Sequence, residues 1–318
     1  MEILLFHTVC LYDSLLDETT IYGQYRNRFD SIELKDTDFT VTFCADRSDF
    51  FITMKGKVST LDTITFVSKT ATTTFEDIHL QFPFMNCDLK LSHTSAIIST
   101  LCKDYSHRLD EWIQYNIQIG FSGIVIFNND ANKSNTLNES LENCIVAHST
   151  DEICKKYKGR VWVVDFPYSP LNKQHWNSLQ RITLHIGVNA FRHRCKHIAL
   201  IDADEFIHIP TMKPLNIETF LTKYSTITIR SNILTNKNEN DIINNNILEL
   251  AKYVGEDKYT KTILHTDKVA ENEFIITPHR HHSETVMRKE DILHYHCWMN
   301  KRYKYTKTMS AIDFLKLY

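Results

Sequence analysis

Apolar residues follow two different rhythms along this chain. Up to about residue 92, short runs rich in Val, Ile, Thr and Phe (residues 3–9, 39–43, 50–54, 63–67 and 78–82) alternate with polar breakers. Runs of that length and composition predict an antiparallel β module over 1–92. No cluster of catalytic residue types falls inside it.

From about residue 95 the rhythm becomes strand, then helix, then strand. Residues 96–102 predict a buried strand. A helix starting near Ser106 follows, with Leu109, Trp112, Ile113, Ile117 and Ile119 at close to helical spacing and Gly120 placed to end it. Residues 123–127 and 161–166 predict two more strands, and 177–194 a long helix with Leu179, Ile182, Ile186 and Phe191 on one side. The Asn-rich stretch 232–246 reads as an excursion leading into a helix near 241–254. Alternating β and α elements with apolar strands predict an α/β domain over 93–318, built on an open, mainly parallel sheet. Ligands of such sheets sit at the carboxyl ends of the strands.

One stretch carries the candidate chemistry. In HIALIDADEF (197–206) an apolar strand stops at Asp202, Ala203, Asp204 and Glu205. A carboxylate at the end of a buried strand is costly unless something neutralises it. Read as extended chain, Asp202 and Asp204 are in i, i+2 relation and point to one side. Two hard oxygen ligands suit Mg²⁺ or Mn²⁺, which keep positions open for phosphate oxygens. Acid pairs at strand ends also cap a following helix or bind a neighbouring arginine, and that alternative stays open here.

The remaining composition narrows the class. A formal charge of −3 gives no basic field for nucleic acid. No segment approaches the roughly 18–20 continuous apolar residues of a bilayer span. The eight cysteines are scattered without a CxxC pair, which predicts reduced, buried thiols and a cytoplasmic setting. An Asn/Lys/Ile-rich, Gly-poor composition fits a low-GC microbe or a large DNA virus, and so a protein at work in that cytoplasm or in the host cytoplasm.

Two segments carry a family resemblance. RLDEWIQYNIQIGFSGIVIFNND (108–130) and IALIDADEFIHIP (198–210) resemble the corresponding motifs of family 92-like glycosyltransferases and their family 2 relatives. YTKTILHTDKV (259–269), the His279–His282 run and ILHYHCW (292–298) resemble later family segments more loosely. The resemblance implies a GT-A fold, a nucleotide-sugar donor and a divalent metal, Mn²⁺ or Mg²⁺. Matched residue by residue, it implies a donor site of Asn128, Asn129 and Asp130 at the nucleoside end, with Asp202, Ala203 and Asp204 at the diphosphate. Gln180 and Glu205 fall near the sugar. Lys103 and Asp104 stand where the family has Asn-Glu, a departure that leaves donor identity open. Asp202 and Asp204 are the expected metal ligands, with His279 or His296 as a histidine completing the site.

An inverting transferase needs a carboxylate to accept the acceptor's hydroxyl proton. Asp267 and Glu284 lie in the region that could supply it, and each also reads as a surface acid. The expected activity is a metal-dependent, inverting hexosyltransferase acting on a glycan or glycoconjugate. A non-catalytic carbohydrate-binding protein and a nucleotidyltransferase on a similar sheet are the alternatives. The β module is a candidate for acceptor binding or self-association.

Overall fold

A computed structural model describes residues 5–13, 15–25, 29–35, 37–44, 49–79, 89, 91–103, 106–129, 150–166, 176–210, 216–235, 252–271, 273–275, 277–282, 284–288 and 292–297. The chain forms two compact units. The first combines residues 1–87 with 168–190 and 270–276; the second comprises 88–167, 191–269 and 277–318. Drawing the boundary at 92/93 places 168–190 and 270–276 in the α/β domain, whereas in the fold they pack with the N-terminal strands.

The first unit contains β1 (Leu5–Asp13), β2 (Glu18–Tyr25), β3 (Ser31–Leu34), β4 (Phe39–Phe43), β5 (Asp49–Lys55), β6 (Thr60–Val67) and β7 (Thr72–His79). They pair antiparallel as two sheets, β1-β2-β5-β4 and β3-β6-β7. Ile21, Phe50, Ile52 and Met54 of one sheet share a core with Ile32, Leu61, Ile64 and Phe66 of the other. Phe29 sits edge-on to Phe43, Phe50 and Phe66 at the centre of that core. Gly23 pairs with Phe50 in the register, and a Cβ there would lie 2.0 Å from the Phe50 ring. Only a residue without a side chain lets the ring lie across the backbone. The sequence pattern located β4 and β5, whereas β2 and β3 were not among the expected strands. Their polar-rich segments, ETTIYGQY and SIEL, carry little apolar signal.

The second unit begins with β8 (Ala96–Cys102), α1 (Ser106–Gln118), β9 (Gly123–Asn128), α2 (Thr150–Lys155) and β10 (Val161–Asp165). The helix α3 (Trp176–Phe191) follows and lies within the first unit up to Ala190. Then come β11 (His197–Leu200), β12 (Glu205–His208), α4 (Ile217–Leu221), β13 (Ile227–Thr235), β14 (Lys252–His265), β15 (Thr285–Val286) and β16 (Leu293–Cys297). One mixed sheet runs in the order β10-β9-β8-β11-β14-β13-β16-β12, with β15 also on β13. β8, β9, β10 and β11 are mutually parallel where they meet, and β14 runs antiparallel to both β11 and β13. The α/β class with a mainly parallel sheet is as expected. The helix expected near 241–254 is not: residues 252–265 are the strand β14, and 241–251 lie outside the described residues. Tyr253, Val254, Tyr259, Thr260, Thr262 and Ile263 are residue types that favour a half-buried pleated surface.

Every residue of β8 is buried, because both faces of the sheet are covered. On one face Ala96, Ile98, Ile124, Ile126, Ala199, Ile201, Ile229 and Ile263 meet Leu109, Trp112 and Ile113 of α1. The helix ends at Gly120, whose φ of 101° is left-handed, with the Phe121 amide donating to the Asn116 carbonyl. Among the described residues, Cys44, Cys102, Cys154 and Cys195 are buried and in no disulfide, and no described helix is long and apolar enough to cross a membrane.

Candidate functional site at the strand ends

The parallel strands occur along the chain as β8, β9, β10, β11 but lie in the sheet as third, second, first, fourth. The order reverses between β8 and β11, and a ligand crevice forms at such a switch point, outside the carboxyl ends of the strands. The register aligns those ends: Cys102 is level with Asn128, and Asn128 with Asp165. Asp202 follows β11 at the same edge.

The stretch 202–205 is a turn, not extended chain. The Glu205 amide donates to the Asp202 carbonyl at 3.0 Å, and the Asp202 amide donates to Glu205 Oε2 at 2.7 Å. This reciprocal pair closes the loop on itself, so the i, i+2 strand geometry expected for Asp202 and Asp204 is corrected. The turn still gathers the acids: carboxylate oxygens of Asp202, Asp204 and Glu205 all lie within 4.8 Å of one another.

Two cationic or polar partners come from distant sequence. Lys261 on β14 places Nζ 2.7 Å from Asp202 Oδ2 and 3.0 Å from Glu205 Oε2, with its side chain only 4% exposed. His294 on β16 places Nε2 3.2 Å from Glu205 Oε2, and its Nδ1 lies 2.7 Å from Ser231 Oγ on β13. The His294 ring thus stands between the Ser231 hydroxyl, with which it shares a hydrogen bond, and the Glu205 carboxylate, a close polar neighbour. The row Lys261, Ser231, His294, Glu205 thus crosses the four neighbouring strands β14, β13, β16 and β12. Ser, His and Glu in line resemble a nucleophilic relay, but Ser231, His294 and Glu205 are all buried. No substrate reaches that hydroxyl, and the row is a support.

Burial disfavours the Lys261 ammonium, but Asp202 and Glu205 outweigh it and hold its pKa above the ordinary lysine value. Burial pushes the Asp202 carboxyl up, Lys261 pulls it down, and Glu205 and Asp204 push it up again, with a net rise. The Asp202 side chain is nevertheless 35% exposed, so water screens much of that burial cost. The ionised Lys261–Asp202 pair is therefore the state that fits this geometry. Three carboxylates and one ammonium leave two net negative charges, facing solvent through Asp202 and Asp204.

The helix α1 fastens the turn from behind. Trp112 Nε1 donates to the Glu205 carbonyl at 2.8 Å and Tyr115 Oη to the Ile207 carbonyl at 2.6 Å. Trp112 is core, as its spacing predicts, and it also fixes the start of β12.

The other expected site residues divide into three groups. Lys103 is exposed just past β8 at the switch point, and Asn128 ends β9. Asn129 is buried: its amide donates to the Cys102 carbonyl at 2.8 Å and its side chain to the Phe166 carbonyl, lacing three strand ends together. Ala203 is buried within the turn. Asp104, Asp130 and the His296 side chain lie outside the described residues, although the His296 backbone pairs with Glu205.

Gln180 belongs to the first unit. The remaining three do not join the acids. Asp267 follows His265, which pairs with His197 at the start of β11, so the antiparallel β14 carries it to the opposite edge of the sheet. Glu284 accepts from the His281 amide at 2.8 Å and from the Thr228 hydroxyl. Thr228 faces Thr262, next along β14 from Lys261, so Glu284 lies on the other face of the sheet from Lys261. His279 is not a member of the acid group; its Nδ1 donates to the Thr260 carbonyl at 2.6 Å.

Lys261 had been given no role, and His294 entered only through the loosely matched 292–298 segment, whose histidines could complete the metal site. Lys261 is the lysine of the loosely matched 259–269 segment, and only strand pairing shows where it points.

No family model matches this chain, and no curated protein matches it.

Proposed function

We propose that the chain is a GT-A-type glycosyltransferase that moves a hexose-type sugar from a nucleoside diphosphate to a hydroxyl of a glycan or related acceptor. The observation that carries this reading is the 202–205 turn. It sets two half-buried carboxylates at the switch point of the sheet's parallel part, ordered 3-2-1-4, where nucleotides bind in open α/β folds.

The residues present fit a divalent ion. Glu205 Oε2 is taken up by the Asp202 amide, Lys261 and His294, which leaves Asp202 and Asp204 as the ligands. Their side is open to solvent, and the two net charges match one Mn²⁺ or Mg²⁺. Such an ion acts as a Lewis acid on the departing diphosphate. The chain's own contributions are positional. The Asn129 contacts fix the strand ends beside the nucleoside side of the crevice, and Trp112 and Tyr115 fix the turn. Lys103 stands exposed at the mouth, where its ammonium can meet a phosphate oxygen.

The test is a panel of nucleoside diphosphate sugars with Mn²⁺ or with chelator, read as free nucleoside diphosphate. One donor should turn over with metal. Alanine at both Asp202 and Asp204 should lower that turnover by on the order of 10³-fold while leaving the fold intact. A protein that still binds its glycan after that double change and releases no nucleotide from any donor is a lectin instead. Product anomeric configuration by NMR reads inversion or retention.

A further inference from the structure

Glu205 and Lys261 differ from Asp202 and Asp204 in being fully buried, and both of them hold Asp202. Glu205 takes the Asp202 amide, Lys261 takes the Asp202 carboxylate, and the two hold each other at 3.0 Å. Behind them His294 and Ser231 hold Glu205, and Trp112 holds its backbone. A lysine in such a place has two opposite meanings for an incoming ion. It can compete with the ion for Asp202, or it can fix Asp202 in one rotamer and leave the second oxygen presented.

We infer that Lys261 and Glu205 form a clamp that preorganises Asp202 for a single divalent ion; the inference rests on the metal-site reading above. Both are positioning residues. Lys261 is buried, and both acids it meets, Asp202 and Glu205, belong to the one closed turn. Its charge is also what reduces three carboxylates to a net of two, so the site is matched to one ion rather than a pair.

The experiment compares wild type with the double variant Lys261→Met, Glu205→Gln. The pair of changes removes one charge of each sign, so the net charge of the site is unchanged and no buried carboxylate is left alone. Mn²⁺ binding is measured by calorimetry and by electron paramagnetic resonance, and thermal unfolding on the same samples.

Wild type should bind one Mn²⁺. The double variant should unfold cooperatively and bind Mn²⁺ about tenfold more weakly, because Asp202 must be ordered when the ion arrives. Equal or tighter binding in the folded double variant overturns the clamp and makes Lys261 a competitor or a mere support. If the double variant fails to fold, Lys261→Arg, which keeps the charge but alters reach and fork geometry, takes its place. Weakened Mn²⁺ binding at unchanged melting temperature supports the clamp, and unchanged binding overturns it. A wild type that binds no Mn²⁺ overturns the metal-site reading itself, which is a separate outcome.

Discussion

Asp49 and Glu205 are the same chemical device placed in two settings. Each is a fully buried carboxylate held by one strongly basic side chain and one histidine. Asp49, at the start of β5, meets Arg181 Nε at 2.6 Å and His185 Nε2 at 3.5 Å, both one turn apart on α3. His185 Nδ1 accepts from the Ile275 amide at 2.9 Å, so its proton lies on Nε2, facing Asp49. Its ring packs edge-on to Phe51 and Phe274. This trio joins three stretches of chain. The Glu205 trio goes one contact further, through Lys261 to an acid that water reaches. What separates a structural ion cluster from a candidate site is that last, half-exposed carboxylate rather than the buried charges.

Breaking the comparison at its centre gives the largest effect. Arg181→Met leaves Asp49 buried with only a histidine, and should cost about 3–5 kcal/mol of unfolding free energy, measured by denaturant melts. Asp202→Asn should cost under about 1 kcal/mol, since its side chain is partly solvated, while turnover collapses. If both substitutions destabilise equally, the distinction between the two clusters fails.

A histidine that faces another histidine instead of an acid sharpens the point. His197 is buried against His265, with Lys196 nearby and Asp267 opposing them. Burial first, then His265, pushes its imidazole down to about 4. The unfolded chain therefore binds more protons between about pH 6.5 and 4. Stability conferred by neutral His197 is complete above 6.5 and is lost as pH falls towards 4, a change on the order of 3 kcal/mol. His197→Leu should flatten that part of the stability–pH curve, whatever it does to stability at neutral pH. The smallest effect belongs to an exposed pair: Lys156→Ala, which breaks a 3.1 Å contact to Asp110 at the surface, should shift stability by less than about 1 kcal/mol.

Periodicity disclosed the strands that run straight through the interior. Residues 96–102 were delimited to the residue because an unbroken apolar run has only one way to be buried, and 39–43 by β-branched and aromatic residues although β4 is a half-exposed edge strand. The acids at the end of β11 were legible for the same reason, since a charge stops such a run abruptly. Lys261 and His294 were not, because a lone lysine in a Thr-rich strand looks like any solvent-facing residue until pairing assigns its face. Asp267 and Glu284 mislead in the opposite way. They lie near Lys261 in sequence, but the direction of β14 takes one to the far edge, and the alternation of the pleat turns the other to the far face. The reach of 168–190 and 270–276 into the first unit left no local signal, because Arg181 and His185 are ordinary helix-surface residues until Asp49 is known to face them.

That interleaving has a consequence during synthesis. Chains are made N-terminus first at about 5–20 residues per second, and domains generally fold as units while they emerge. Here Asp49 leaves the ribosome long before Arg181 and His185, and His185 before the Ile275 amide that fixes its tautomer. The β-sandwich must therefore wait some tens of seconds, with an unmatched acid at its edge, until residue 276 has been translated. Nascent chains stalled before residue 276 should be easy prey for proteases, and those stalled beyond it should not.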